Sequence, residues 1–217
     1  MFERLLTLPL FQGMTLKELS EVLTHVRLDF VKYQKGDEIV SQNDPCRNLV
    51  CIINGDISST FREETGKFTL FEKLSRVSIL EPYNMFGMYP RYSRDYTFES
   101  EGETLTIERN VFINHVLNNN IVKINMMNII SNRYQQTLRS LYRQENKSVT
   151  AKIIRFLQTY SSIQKGEKEL SIRMVTLADY VEETRLNVSY ALNALQDQGL
   201  LKLCRGMILI PALEDLK

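Results

Sequence analysis

The sequence predicts an α+β fold: an N-terminal antiparallel β-roll of the double-stranded β-helix or jelly-roll kind, one long helix, and a C-terminal winged helix-turn-helix. Three observations predict it. From about Asp29 to Ile107 short apolar or β-branched runs recur with period two between turn signals. From about Asn110 to Glu145 there is neither Pro nor Gly, and the apolar spacing becomes helical. From Val175 to Pro211 two short amphipathic helices precede a pair of short strands. The expected segments are residues 1–112 for the roll, 113–146 for the long helix and 147–217 for the helix-turn-helix.

The chain opens on a helical stretch from Leu5 to Leu28. Thr15-Leu16-Lys17-Glu18 has the form of a capping box, in which the Thr hydroxyl and the Glu carboxylate satisfy backbone N–H groups reciprocally. Leu16, Leu19, Val22, Leu23 and Val26 then form an apolar stripe at helical spacing. The strands that follow are punctuated by Lys35-Gly36-Asp37, Asn54-Gly55, Thr65-Gly66-Lys67, Glu81-Pro82-Tyr83-Asn84 and Glu101-Gly102-Glu103. Asn54-Gly55 lies between Val50–Ile53 and Ile57–Phe61, and both turn residues tolerate positive φ, so a two-residue hairpin is expected there. Many short strands at regular spacing indicate an antiparallel barrel or roll.

In the long helix, Leu117, Asn120, Ile124, Met127, Ser131, Tyr134, Leu138 and Leu141 alternate at spacings of three and four. That is a heptad seam, and a helix with such a seam usually pairs with a copy of itself. Asn120 and Ser131 interrupt it. Ile124, Met127, Tyr134, Leu138 and Leu141 are the expected dimer contacts, because the second half of the helix runs beyond what a small roll could cover. The alternative is a helix packed lengthwise on the β-domain. A further helix, Val149 to Ser161, leads into the C-terminal unit.

There the first helix buries Leu177, Ala178 and Val181, and the second buries Val188, Ala191, Leu192 and Leu195. Glu182 to Thr184 form the turn, which leaves the second helix free to enter a DNA major groove. Gly199 ends the second helix. Leu201 to Leu203 and Met207 to Ile210 flank Cys204-Arg205-Gly206 as a small hairpin, or wing. An ordinary helical hairpin followed by a strand pair is the plainer alternative.

Composition bounds the function. The chain of 217 residues is 43% hydrophobic and 24% charged, as in an ordinary globular protein. No apolar run approaches the roughly 18 residues that span a bilayer, and the N-terminus lacks the form of a signal peptide, so a cytoplasmic location without membrane attachment is expected. Cys46, Cys51 and Cys204 form no CxxC pair and are expected to be inert thiols. The net charge of +1 gives no general basic footprint, so any DNA contact must come from a few well-placed cations.

This order of elements resembles the Crp/Fnr family of bacterial transcription regulators, which join a cyclic-nucleotide-binding-like β-roll, a dimer helix and a winged helix. The resemblance covers nearly the whole chain. It is carried by Tyr33-Gln34-Lys35-Gly36-Asp37-Glu38-Ile39, by Ile52-Ile53-Asn54-Gly55-Asp56-Ile57, by Phe86-Gly87 and by the helix-turn-helix. The family's DNA-reading helix often carries Ser-Arg-Glu-Thr-Val, with another Arg four residues beyond the Glu. The matching stretch here is Thr184-Arg185-Leu186-Asn187-Val188-Ser189-Tyr190. Arg185 is kept, Leu186 replaces the Glu and Tyr190 replaces the second Arg. Arg can bind guanine O6 and N7 together, whereas Glu accepts from cytosine N4, so the preferred half-site should differ. The resemblance implies that Arg185, Asn187, Ser189 and Tyr190 face the groove. Leu186 either packs or meets a thymine methyl. Thr176 can donate to a phosphate, and Arg205 at the wing tip should meet the DNA backbone.

The same resemblance locates an effector pocket at Phe86, Gly87, Met88, Arg94 and Thr137. Cyclic-nucleotide binders carry Phe-Gly-Glu, whose Glu accepts from the ribose 2′-OH, and then an Arg-Ser pair that holds the phosphate. Here Met88 stands at the Glu position and Asp95 follows Arg94. Methionine accepts only weakly, and a carboxylate beside an anion site repels the ligand. Leu138 also replaces the Ser expected beside Thr137. Cyclic AMP is therefore not expected as the ligand. Arg91, Tyr92 and Arg94 either hold another anion or are surface loop residues.

No cofactor is expected. An iron–sulfur cluster needs four thiolates, and His25 and His115 are the only histidines. A metal cupin, the enzyme reading, needs several His and carboxylate ligands that converge. The expectation is a non-enzymatic, homodimeric, sequence-specific DNA-binding regulator acting on a pseudo-palindromic site, with an unidentified small-molecule effector and RNA polymerase as a further candidate partner. The alternative is a ligand-sensing or protein-interaction module with degenerate DNA binding.

Overall fold

The computed structural model describes residues 2–24, 26–74, 78–142 and 148–216. Its contacts gather into two compact units: Met1–Ile57 with Leu74–Gln135, and Ser58–Lys73 with Gln136–Lys217. Residues 58–73, expected within the roll, are gathered with the C-terminal elements.

The first unit opens with α1 (Phe2–Leu6), a 3₁₀ turn at Pro9–Phe11 and α2 (Leu16–Leu23). The helical stretch expected from Leu5 to Leu28 thus falls into separate pieces, the last beginning at the Thr15 cap. Pro9 has no N–H for an α-helical bond, and Gly13 turns the chain at φ +87°. The capping box forms as expected: Glu18 N donates to the Thr15 hydroxyl at 3.2 Å, and Thr15 N donates to the Glu18 carboxylate at 2.7 Å. α2 then buries Leu19 and Leu23.

The strands are β1 (Asp29–Tyr33), β2 (Glu38–Val40), β3 (Asn48–Asn54), β4 (Ile57–Arg62), β5 (Phe68–Leu74), β6 (Asp95–Phe98) and β7 (Gly102–Glu108). β1, β7 and β3 form an antiparallel sheet in that order, and β2 pairs antiparallel with β6. Leu49 to Ile53 are buried on both faces of β3, so this strand lies at the centre of the first core.

The hairpin expected at Asn54-Gly55 does not form. β3 pairs with β7, while β4 lies beside β5. Gly55 (φ +89°) is needed for a different reason: a Cβ there would come within 2.8 Å of the Glu101 carbonyl and 2.9 Å of the Phe98 ring. The turn changes sheets, and β7 takes the place beside β3.

The helix expected to run from 110 to 145 is also broken. α3 (Arg109–Val111) passes into one π-helical turn at Phe112–Val116, and α4 (Asn120–Tyr142) starts afresh. The Asn119 side chain accepts from the backbone of Ile121 at 2.9 Å and Val122 at 3.3 Å, which makes it the N-cap of a new helix. The Asn118-Asn119-Asn120 run favours a cap over continuation. Residues 143–147 lie outside the described residues. On α4, Val122 and Met126 are buried in the first core, and the Asn125 amide donates to the carbonyls of Leu10 and Gln12.

The second unit contains α5 (Val149–Tyr160), β8 (Lys168–Ile172), α6 (Met174–Tyr180), α7 (Arg185–Asp197), β9 (Lys202–Cys204) and β10 (Met207–Ile210). Ser148 caps α5 by accepting from Ala151 N. The sheet runs β4-β5-β8-β10-β9. β5 pairs antiparallel with β8 in the register Phe68↔Ile172, Leu70↔Leu170 and Glu72↔Lys168. Alternation sends all six of these side chains to the buried face. Phe68 sits at the centre of an aromatic cluster. Its ring centroid lies 5.1 Å from Phe156, 4.8 Å from Tyr160 and 5.3 Å from Tyr180. Fully burying one such ring contributes about 1.5–3 kcal/mol, and each aromatic pair adds about 0.5–1.5 kcal/mol.

Candidate nucleic-acid interface

The helix-turn-helix is built as its apolar pattern requires. Leu177, Ala178 and Val181 are buried from α6 and the residue that ends it, and Val188, Ala191, Leu192 and Leu195 are buried from α7. In the turn, Glu182 adopts φ +52° and Glu183 N donates to the Ala178 carbonyl at 3.0 Å. Thr184 is the N-cap of α7, its hydroxyl accepting from Asn187 N at 3.2 Å. Lys152 of α5 holds this turn through an ion pair with Glu183 at 2.6 Å. That pair, with the hydrogen bond from Asn187, lowers the Glu183 pKa. At the far end, Gly199 (φ +73°) closes α7, and Gln196 accepts from Leu203 N at 2.7 Å to fix the wing.

These constraints aim the opposite face of α7 outward. Leu186 is 60% exposed and Tyr190 is 65% exposed, both large for free surface positions. Arg185 and Asn187 are exposed beside them, and Ser189 is half-buried. The Asn187 amide donates to Glu183 at 3.3 Å. Arg205 is exposed in the turn between β9 and β10. Thr176 is buried, yet it lines a cleft of about 690 Å³ together with Arg173, Asp179, Tyr180, Arg185 and, from the β4–β5 turn, Lys67.

No family model matches this sequence, and no curated protein matches it. Solved structures do. The catabolite activator protein of Thermus thermophilus aligns over 96% of both chains, with a TM-score of 0.53 at 18% identity. A transcriptional regulator assigned to the crp/fnr family, from Eubacterium rectale, aligns over 96% of this chain and 97% of its own, with a TM-score of 0.52 at 20% identity. The c-di-GMP-responsive global regulator CLP of Xanthomonas campestris aligns over 91% and 99%, with a TM-score of 0.51 at 18% identity. The chain has the Crp/Fnr regulator fold. Its β-roll, helix and winged helix-turn-helix follow one another as in that fold.

The residues expected to line an effector pocket differ in burial. Phe86 is half-buried and packs on the first core, Gly87 is exposed at φ +89°, and Met88 is 88% exposed. Arg94 is buried. Thr137 is exposed and belongs to the second unit. Tyr92, expected as a surface loop residue if it holds no anion, is instead buried and donates to the Asn48 carbonyl at 3.2 Å. Arg91 is exposed and donates to the Asn43 carbonyl at 2.6 Å.

The centre of this region is a residue the sequence did not single out, Glu81. It is buried in a left-handed conformation (φ +36°). Its carboxylate accepts from Ser93 N at 2.8 Å, the Ser93 hydroxyl at 2.6 Å, the Asn84 amide at 2.5 Å and the Tyr96 hydroxyl at 3.1 Å. Burial, and then the Glu81 charge, push the Tyr96 hydroxyl pKa upward. Asp95 is buried too and accepts from Gln42 N at 2.8 Å. Asp95, next to Arg94 in sequence, and Glu81 are thus two buried carboxylates of the first unit.

Along α4, Ile124, Met127 and Tyr134 are 53%, 55% and 62% exposed, on the side away from Val122 and Met126. Leu138 is half-buried. The Leu141 side chain and all of His25 lie outside the described residues. Cys46 and Cys51 are buried, and desolvation pushes the Cys51 thiol up to about 12, where it is inert at neutral pH. Among the described residues no group of His, Cys, Asp and Glu could hold a metal ion, and no helix is long and apolar enough to cross a membrane.

Proposed function

We infer that the protein is a homodimeric, sequence-specific DNA-binding transcription regulator rather than an enzyme, and that α7 reads bases in the major groove. One observation carries this reading. α7 is held by its cap, its turn and its buried face, and its first two turns present Arg185, Leu186, Asn187 and Tyr190 outward. A cation and an amide able to bond base edges, beside two apolar groups able to meet a thymine methyl, make a reading surface. Arg205 on the wing and Thr176 in the cleft supply backbone contacts.

The exposed apolar stripe Ile124, Met127 and Tyr134 supports self-pairing of α4. Leu138 continues that stripe, and Leu141 follows it at the same spacing. A two-fold dimer places two copies of α7 on half-sites about one helical turn apart. The effector domain is read as not binding cyclic AMP. Met88 has no carboxylate for a ribose hydroxyl, and Glu81 and Asp95 occupy the polar interior near Arg94.

The test is selection from a random duplex pool with purified protein. Enrichment of an inverted repeat supports the reading. A pool that stays random, with no retained duplex, overturns it.

A further inference from the structure

The β4–β5 hairpin carries a surface that no part of the reading above uses. In sequence it belongs to the roll, but it is a strand pair of the second unit, joined to β8 along Phe68–Glu72 and to α5 and α6 through the Phe68 ring cluster. Its turn is rigid. Glu63 N donates to the Phe68 carbonyl at 3.1 Å and Gly66 N to the Glu63 carbonyl at 2.8 Å. The Glu63 carboxylate also accepts from Thr65 N, the Thr65 hydroxyl and Lys67 N at 2.8, 2.6 and 3.2 Å. The Tyr180 ring of α6 packs on Phe68 at the end of this turn, with ring centroids 5.3 Å apart. The turn is therefore fixed to the first helix of the helix-turn-helix.

What that attachment positions is Lys67. It is exposed and lines the cleft of about 690 Å³ with Arg173, Thr176 and Arg185. Three cations and a hydroxyl meet there against one carboxylate, Asp179. Among the described residues, none of the three cations is in an ion pair. Exposed cations with no acidic partner, held on a rigid frame beside a base-reading helix, suit a phosphodiester backbone. The chain as a whole has a net charge of only +1, so such local placement must supply the electrostatic grip.

We propose that the β4–β5 turn is a third element of the DNA interface, in which Lys67 and Arg173 hold a backbone phosphate beside the groove entered by α7. This rests on the reading of α7 as the DNA-reading helix. The hairpin thereby adds phosphate contacts that carry no sequence information and raise affinity on every sequence.

The test is a titration of labelled duplex, carrying the inverted repeat enriched by the wild type, at several chloride concentrations. Wild type, Lys67→Ala, Arg173→Ala and Lys67→Arg are compared, with thermal melts to confirm that each is folded. Lys67→Ala should weaken binding several-fold on matched and mismatched duplexes alike. It should also flatten the slope of log affinity against log salt by about 0.9 for each protomer bound, and Lys67→Arg should restore it. An unchanged affinity and slope for a folded Lys67→Ala would overturn the proposal. If the wild type retains no duplex, the failure belongs to the reading of α7 and not to Lys67.

Discussion

Glu72 and Lys168 face each other across β5 and β8, fully buried, with carboxylate and ammonium 3.1 Å apart. Neither is left short of partners. Glu72 also accepts from Ser162 N at 2.9 Å, and Lys168 donates to the Lys165 carbonyl at 2.7 Å. A buried pair of this kind contributes little net stability compared with apolar residues, but its geometry fixes which residues oppose one another. Here it fixes the register by which the hairpin joins the second unit.

Removing one partner leaves the other charge buried and uncompensated. Glu72→Ala should destabilise the second unit by about 3–5 kcal/mol, and the joint replacement Glu72→Leu with Lys168→Met by much less. Chemical denaturation followed by tyrosine emission checks this, since the chain has no Trp and Tyr160 and Tyr180 lie in that core. Equal losses for the single and joint variants would remove the pair's role.

In the first unit, Gly102 starts β7 where a Cβ would lie 2.0 Å from the Phe98 ring and 2.8 Å from the Asn54 carbonyl. Phe98 cannot yield freely, because it is fully buried and stacks on Tyr33 at 4.9 Å. Gly102→Ala should cost about 1–3 kcal/mol through overpacking, read as a lowered unfolding midpoint.

The seam on α4 predicts an oligomeric state. Ile124 and Met127 are more than half exposed in the single chain, so Ile124→Glu with Met127→Glu should leave its fold intact. Light scattering should show a dimer for the wild type and a monomer for the variant. DNA affinity should fall as well, because one α7 alone reaches only a half-site.

Glu183 predicts a pH dependence. Its hydrogen bond from Lys152 comes first among the causes that lower its pKa below the ordinary value, and the bond from Asn187 follows. A depressed carboxylate stabilises the fold fully above its unfolded value of about 4.3, and that contribution is lost as pH falls through the folded value. The melting temperature of Glu183→Gln should therefore lie below wild type near neutral pH and converge with it as pH drops below about 4.

How much was legible in the sequence differs by element. The helix-turn-helix was, because Leu177, Val181, Val188 and Leu192 recur at helical spacing around a turn too short to hide, and a cap at Thr184 starts the second helix. The capping box at Thr15 was legible for the same reason: its partners are three residues apart. The partners of β3 and β5 were not. Pairing of Val50 with Thr106 or of Leu70 with Leu170 leaves no local trace, and Asn54-Gly55 reads as a hairpin whichever strand lies next to it. Alternation did hold one overlooked sign. Glu72 shares parity with Phe68 and Leu70, and Lys168 with Leu170 and Ile172, so each charge sits on an apolar face that must be buried. The network around Glu81 was not legible, because Glu81 meets Ser93 and Tyr96 only once the loop is folded.

The measurement closest to the central claim is a base-substitution scan. The enriched duplex is varied one pair at a time, and binding is measured for wild type and Arg185→Ala. If α7 reads bases, wild type loses about 1–3 kcal/mol at a guanine in each half-site, and Arg185→Ala is weaker overall but indifferent at that position. A variant that loses affinity equally on every duplex, and keeps the wild-type preference throughout, would contradict the account.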